Sequence, residues 1–145
     1  MGLARNRRSV DGSYDAKEPA MPTIVVVALA SALGGLCRYA LGGVLARRTP
    51  SDFPWETFLV NMSGAFAVGV LFTLFTDRLA VAPSVRAAIL IGFLGSYTTF
   101  STLTLESWRL VEDGAYALGL ANLFGSAAVG LAATYAGIVL GRAIV

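Results

Sequence analysis

Apolar residues run along this chain in four long blocks rather than alternating with polar ones. Thr23 to Ala46, Glu56 to Thr76, Val85 to Val111 and Ala115 to Gly141 are apolar on nearly every side of a helical wheel, and each is long enough to cross a hydrocarbon core of about 30 Å. The single apolar stripe and wet face of a soluble helix are missing. The pattern predicts an all-α integral membrane fold, a channel-sized domain over residues 23–145 with four transmembrane helices at 23–46, 56–76, 85–111 and 115–141. Met1 to Pro22 differs: Arg5, Arg7, Arg8 and Lys17 are set against Asp11, Asp15 and Glu18 without apolar periodicity, which predicts a disordered polar tail, residues 1–22. The block after it is too long for the core of a secretory signal and lacks a clear cleavage site, so it reads as a retained helix.

Punctuation and composition agree with the blocks. Pro50 and Pro54 mark the first connection, Pro83 the second and Glu112-Asp113-Gly114 the third, and all five prolines are expected outside the spans. Of 145 residues 56% are hydrophobic and 14% charged, against about a quarter charged in soluble domains. The net charge of +2 is scattered, so no basic patch exists to hold nucleic acid. One cysteine and no histidine exclude disulfides within the chain, Cys/His metal sites and histidine general-base chemistry, and no enzyme is expected. Cys37 reads as packing. Leaving out the tail, an even number of spans sets Arg78, Arg86 and Arg142 on one side and Arg47, Arg48 and Arg109 on the other, so the positive-inside rule scarcely chooses an orientation and a balanced subunit can insert both ways; the tail adds positive charge to the side with the termini, though three of its four basic residues lie near the distance limit of the rule.

Small residues mark expected helix contacts: Ala30, Ser31, Gly34 and Gly35 in the first span, and the stripe Asn122, Ser126, Gly130, Thr134 and Gly137 in the fourth. Four such helices make a thin bundle with little interior, so a pathway across the membrane calls for a second subunit, by default a homodimer.

Polar groups inside apolar spans are costly and each needs an account. Arg38 lies within the first span and reads either as a snorkelling anchor or as part of an anion-attracting vestibule. Asn61, inside the second span, offers amide donors without net charge, suited to an anion that must shed water and not be trapped; an interhelical hydrogen bond is the competing reading. The third span carries Gly92-Phe93-Leu94-Gly95-Ser96-Tyr97-Thr98-Thr99-Phe100-Ser101-Thr102. Two glycines followed by clustered hydroxyl and β-branched residues weaken a helix midway, and a broken helix exposes its ends to ions: freed carbonyls to a cation, the hydroxyls of Thr99, Ser101 and Thr102 and the ring edge of Phe100 to an anion. Threonines bonding back within an unbroken helix are the bland alternative. Glu106 reads as an interfacial anchor or a titratable group. Asn122 and Ser126 share a face, as a polar track or as a bridge between helices.

Gly34 to Tyr39 (Gly-Gly-Leu-Cys-Arg-Tyr), Thr57 to Gly64 (Thr-Phe-Leu-Val-Asn-Met-Ser-Gly) and Gly92 to Thr102, in this order and spacing, make the chain from the first span onward resemble the Fluc (CrcB) fluoride channels. The resemblance implies an antiparallel, dual-topology dimer with two narrow pores, the third helix broken mid-membrane, and a structural sodium ion at the dimer centre held by backbone carbonyls, at matching positions Gly95 and Thr98. It assigns Asn61 and Phe100 to the fluoride pore, puts Ser126 and Asn122 on a polar track in the fourth helix, and matches Arg38 to the first-helix arginine. Leu103 stands where the family commonly has a second phenylalanine, and Asn122 where it has a tyrosine. Those departures raise altered conduction, or a heterodimer with a paralogous subunit.

The implied function is passive export of fluoride across the cell inner (plasma) membrane, the partners being fluoride, the lipid bilayer and a second subunit. Two rivals are a proton-coupled exporter of the small multidrug resistance type, which normally needs a carboxylate in the first span, and a non-conducting assembly subunit, for which glycine stripes alone suffice.

Overall fold

The computed structural model describes residues 21–77 and 79–144. The expected tail falls mostly on residues 1–20, outside the described residues, as does Arg78. Four helices are long and apolar enough to cross a membrane: Met21–Arg48, Trp55–Asp77, Pro83–Glu112 and Tyr116–Ala143. No strand occurs among the described residues. The first three helices extend a residue or two beyond the expected span at both ends, the fourth starts one residue later and ends two later, and two prolines expected outside now lie within. Pro22 and Pro83 sit in first turns, where a missing N–H costs nothing and the fixed φ suits a helix.

The connections follow from turn chemistry. After Glu112, Gly114 takes φ 80° and Asp113 closes the helix; Gly114 N–H donates to the Val111 carbonyl at 3.1 Å and Ala115 N–H to that of Leu110 at 2.8 Å. Carbonyls left over at the helix end are thereby satisfied, which only a residue tolerant of positive φ permits without strain. In the first connection Phe53, Trp55 and Phe58 form an aromatic triangle with centroids 4.8 to 5.8 Å apart, a natural anchor at a membrane interface.

Packing runs through small residues. A Cβ on Gly34 would collide with the Phe93 carbonyl, and one on Gly92 would come within 2.8 Å of the Val27 carbonyl, so the first helix and the start of the third lie backbone against backbone. Gly69 and Gly137 do the same for the second and fourth helices, where the Thr134 hydroxyl also donates to the Ala65 carbonyl at 3.1 Å. Close approach of this kind replaces the hydrophobic drive that lipid cannot supply. Large apolar side chains such as Leu29, Leu36, Ile91, Leu131 and Tyr135 face outward, as they do in a multi-pass membrane protein, which this is.

The third span is not one regular helix. Residues Ala88–Phe93 widen into a π-helical turn, Leu94–Tyr97 is α-helical, Thr98 and Thr99 are extended (φ, ψ −84°, 159° and −148°, 120°), and Phe100–Glu112 resumes the helix. The first part packs on the first helix and the second on the start of the fourth. A second π-helical turn, Ala121–Gly125, lies in the fourth helix.

Candidate functional site

The extended pair at Thr98 and Thr99 needs partners for backbone groups that no longer bond within a helix. Asn61 on the second helix supplies them. Thr99 N–H donates to Asn61 Oδ1 at 2.8 Å, and Asn61 Nδ2 donates to the Thr99 carbonyl at 3.0 Å. Only an amide matches a peptide at both ends this way; aspartate lacks the donor. Asn61 therefore bridges the second and third spans, and one of its two N–H bonds is left without a partner among the described residues.

Thr99 starts the next helix as its N-cap, its Oγ1 accepting from Thr102 N–H at 3.3 Å and lying 2.9 Å from Thr102 Oγ1. Threonine suits this position because its extended backbone and side-chain oxygen serve the orphan donors of a helix start. The carbonyls deprived by these bonds are informative. In a continuous helix the Gly95 carbonyl would accept from Thr99 N–H and the Thr98 carbonyl from Thr102 N–H; those donors are engaged by Asn61 Oδ1 and Thr99 Oγ1. The carbonyls of Ser96 and Tyr97 lose their helical donors at the same break, so four oxygens, those of Gly95 and Thr98 among them, lack the bonds a continuous helix would give, and oxygens of that kind suit a hard cation. The start of the Phe100–Glu112 helix, by contrast, carries the positive end of a helix dipole.

Beside the break runs a groove of about 510 Å³. Asn61, Thr98, Thr99, Ser126 and Thr134 provide its polar wall, Phe100, Leu103 and Phe124 lie along the apolar one, and no charged residue lines it. Phe100 is 73% exposed whereas Leu103 is buried at 7%, so the ring and the leucine one turn on are unequal: one is presented, the other packed away. Of the site residues expected from sequence, the groove brings together Asn61, Gly95, Thr98, Thr99, Phe100 and Ser126.

Other expected residues lie elsewhere. Arg38 borders two further hollows: one of about 740 Å³ shared with Thr57, Thr102 and Glu106, and one of about 470 Å³ shared with Ser96, Thr99, Phe100 and Ser101. Thr102 and Ser101 thus lie beside Arg38 instead of in the main groove. Asn122 lines none of these; it is 0% exposed, donates to Ser107 Oγ at 3.0 Å and faces the Ser126 hydroxyl at 3.5 Å. Asn122 thus bridges the third and fourth spans.

Sequence reasoning passed over Thr57, whose hydroxyl donates to Glu106 Oε1 at 2.8 Å, while Glu106 Oε2 is buried with no hydrogen-bond partner among the described residues. It also passed over Ser63, 2.8 Å from the Tyr97 hydroxyl, and Gly64. A helical stripe through Thr57, Asn61 and Gly64, four and three residues apart, was the available signal.

Comparison with known proteins bears on the same segments. The family model described as CrcB-like protein, Camphor Resistance (CrcB), matches residues 25–138. A protein of Desulforapulum autotrophicum named fluoride-specific ion channel FluC is 47% identical over 120 residues, 83% of this chain and 96% of that one. Proteins of the same name from Solibacter usitatus and Citrifermentans bemidjiense are 43% and 42% identical, over 81% and 86% of this chain and 97% and 100% of theirs. With all four membrane-crossing helices inside or overlapping the matched stretch, the chain belongs to the CrcB family.

Proposed function

We propose that the protein is a fluoride-selective channel that exports fluoride passively from the cytoplasm through the plasma membrane and so relieves fluoride toxicity. An inside-negative potential drives an anion outward by about 2.3 kcal/mol per 100 mV, so no fuel is required. The reading draws on the name carried by the relatives. The observation that carries it is the groove at the break: neutral donors in an otherwise apolar wall, with no cation to trap the ion. Fluoride gives up its water only to close, well-aimed donors, and the free N–H of Asn61, the hydroxyl of Thr99 and the positive edge of the Phe100 ring are of that kind, while Ser126, whose hydroxyl donates to Asn122, adds polarity to the groove wall. Arg38, with Ser101 and Thr102, belongs to the approach, where a positive charge raises the local anion concentration. Asn122 contributes by fixing Ser126 and the turn that carries it.

The working unit is an antiparallel dual-topology dimer. In its favour are the near balance of arginines between the two sides and the exposure of Phe100 and Phe124, at 73% and 65%, along a groove that one protomer leaves open. A homodimer is the simplest assembly, and pairing with a paralogous chain, suggested by Leu103, is the alternative. A sodium ion at the dimer centre would be held by the Gly95 and Thr98 carbonyls, supplying positive charge that offsets anion desolvation and tying the broken helices together. The proton-coupled exporter reading is disfavoured because Met21–Arg48 holds no Asp or Glu.

Purified protein in liposomes loaded with potassium fluoride tests the reading. On adding valinomycin, fast fluoride release that chloride does not reproduce is expected; release only under an imposed proton gradient, or none, would overturn it.

A further inference from the structure

The break has a second support on the helix that clamps it. Three residues after Asn61, at Gly64, a Cβ would overlap the Cγ2 methyl of Thr98 and lie 3.2 Å from Tyr97 Cδ1. Ser63, beside it, is 2.8 Å from the Tyr97 hydroxyl and donates to the Val60 carbonyl at 2.9 Å. One turn of the second helix therefore meets each residue of the break: Ser63 the hydroxyl of Tyr97, Gly64 the methyl of Thr98, Asn61 the peptide of Thr99. The last α-helical residue, the turn outward and the N-cap of the next helix are all fixed against one rigid surface.

We propose that Gly64 is a positioning residue for conduction. Its bare Cα is the seat for the Thr98 methyl, and that seat, together with the Asn61 amide, keeps Thr98 and Thr99 extended and fixes the point at which Phe100 resumes the helix. The argument is steric and directional. Asn61 fixes the Thr99 peptide and the Thr98 N–H donates to the Leu94 carbonyl at 3.0 Å; the seated methyl sets the Thr98 side chain between these two anchors, with Oγ1 donating to the same carbonyl at 3.0 Å. A side chain at position 64 would push Thr98 off the helix, carry the Thr99 peptide away from Asn61 and swing Phe100 along the groove. Displacements of about 1 Å at a reacting or binding group are enough to cost orders of magnitude in rate.

The conduction arm of the test rests on the fluoride-channel reading, and the exchange arm does not. In lipid nanodiscs, hydrogen exchange over residues 97–102 reports whether the Thr99 amide is still protected by Asn61. Gly64→Ala is expected to lose that protection and to slow fluoride release about tenfold or more. Thr98→Ser keeps the Oγ1 and removes the Cγ2 that the new Cβ would strike, so Gly64→Ala/Thr98→Ser should recover the exchange and release of Thr98→Ser alone. Should Gly64→Ala fail to fold, recovery of a folded protein by the double variant supports the seat, and failure of both overturns it. Wild-type protection and release in Gly64→Ala would also overturn it. If the unaltered protein conducts no fluoride, the fluoride reading falls, and the exchange comparison still decides whether Gly64 holds the break.

Discussion

The second helix makes two close contacts, and they work in opposite ways. Toward the fourth helix it offers absence: Gly69 and Gly137 let the backbones approach until an added Cβ would collide with the carbonyls of Thr134 and Phe66. Toward the third it offers a paired amide, Asn61, that takes up both backbone groups of Thr99. The glycine contact is non-directional and joins two regular helices. The amide contact is directional and holds a segment that is not a helix at all. In lipid, where an unpaired peptide has no water to turn to, the first kind of contact assembles spans and only the second kind lets a span be interrupted.

The largest disruption should come from the glycine contact. Gly137→Leu forces a side chain between backbones and is expected to cost about 3 kcal/mol or more, seen as loss of monodisperse protein or a large fall in the unfolding midpoint in micelles; a near-normal midpoint would mean that the helices are not held by this contact. Asn61→Ala should follow. It strands one donor and one acceptor at Thr99, about 1–3 kcal/mol for each if neither finds water, and fluoride release should fall with them. A small stability loss alongside abolished release would show that water enters the break and that the amide matters mainly to the ion. Ser107→Ala is the mildest: it removes the partner of the enclosed Asn122 amide and should lower stability by about 1–2 kcal/mol with release close to normal. A large loss of release there would bring the Asn122 network into the pathway.

Legibility in the sequence divides along the same line. The four helices were readable because unbroken apolar runs have few alternatives; the run at 56–76 became Trp55–Asp77 and that at 23–46 became Met21–Arg48. Capping and turn residues such as Gly114 were equally plain. The hydroxyl cluster drew attention to residues 98–102, but which residues leave the helix depends on Asn61, 38 positions away from Thr99, and such pairings have no local signature. For the same reason spacing left Asn122 and Ser126 open as a polar track or a bridge between helices, and only the fold shows Asn122 enclosed against Ser107. Spacing puts residues on one face of a helix; it does not say what that face meets. The π-helical turns at Ala88–Phe93 and Ala121–Gly125 likewise shift the faces that an ideal helix would predict.

The central claim is that fluoride crosses beside the extended pair, past the ring that begins the next helix. Fluoride release from liposomes holding Phe100→Ile, with chloride as the control ion and the assembly checked by its elution, tests it most directly. The account predicts release at the level of empty liposomes from a protein that elutes as the unaltered one does; release at the unaltered rate would contradict it.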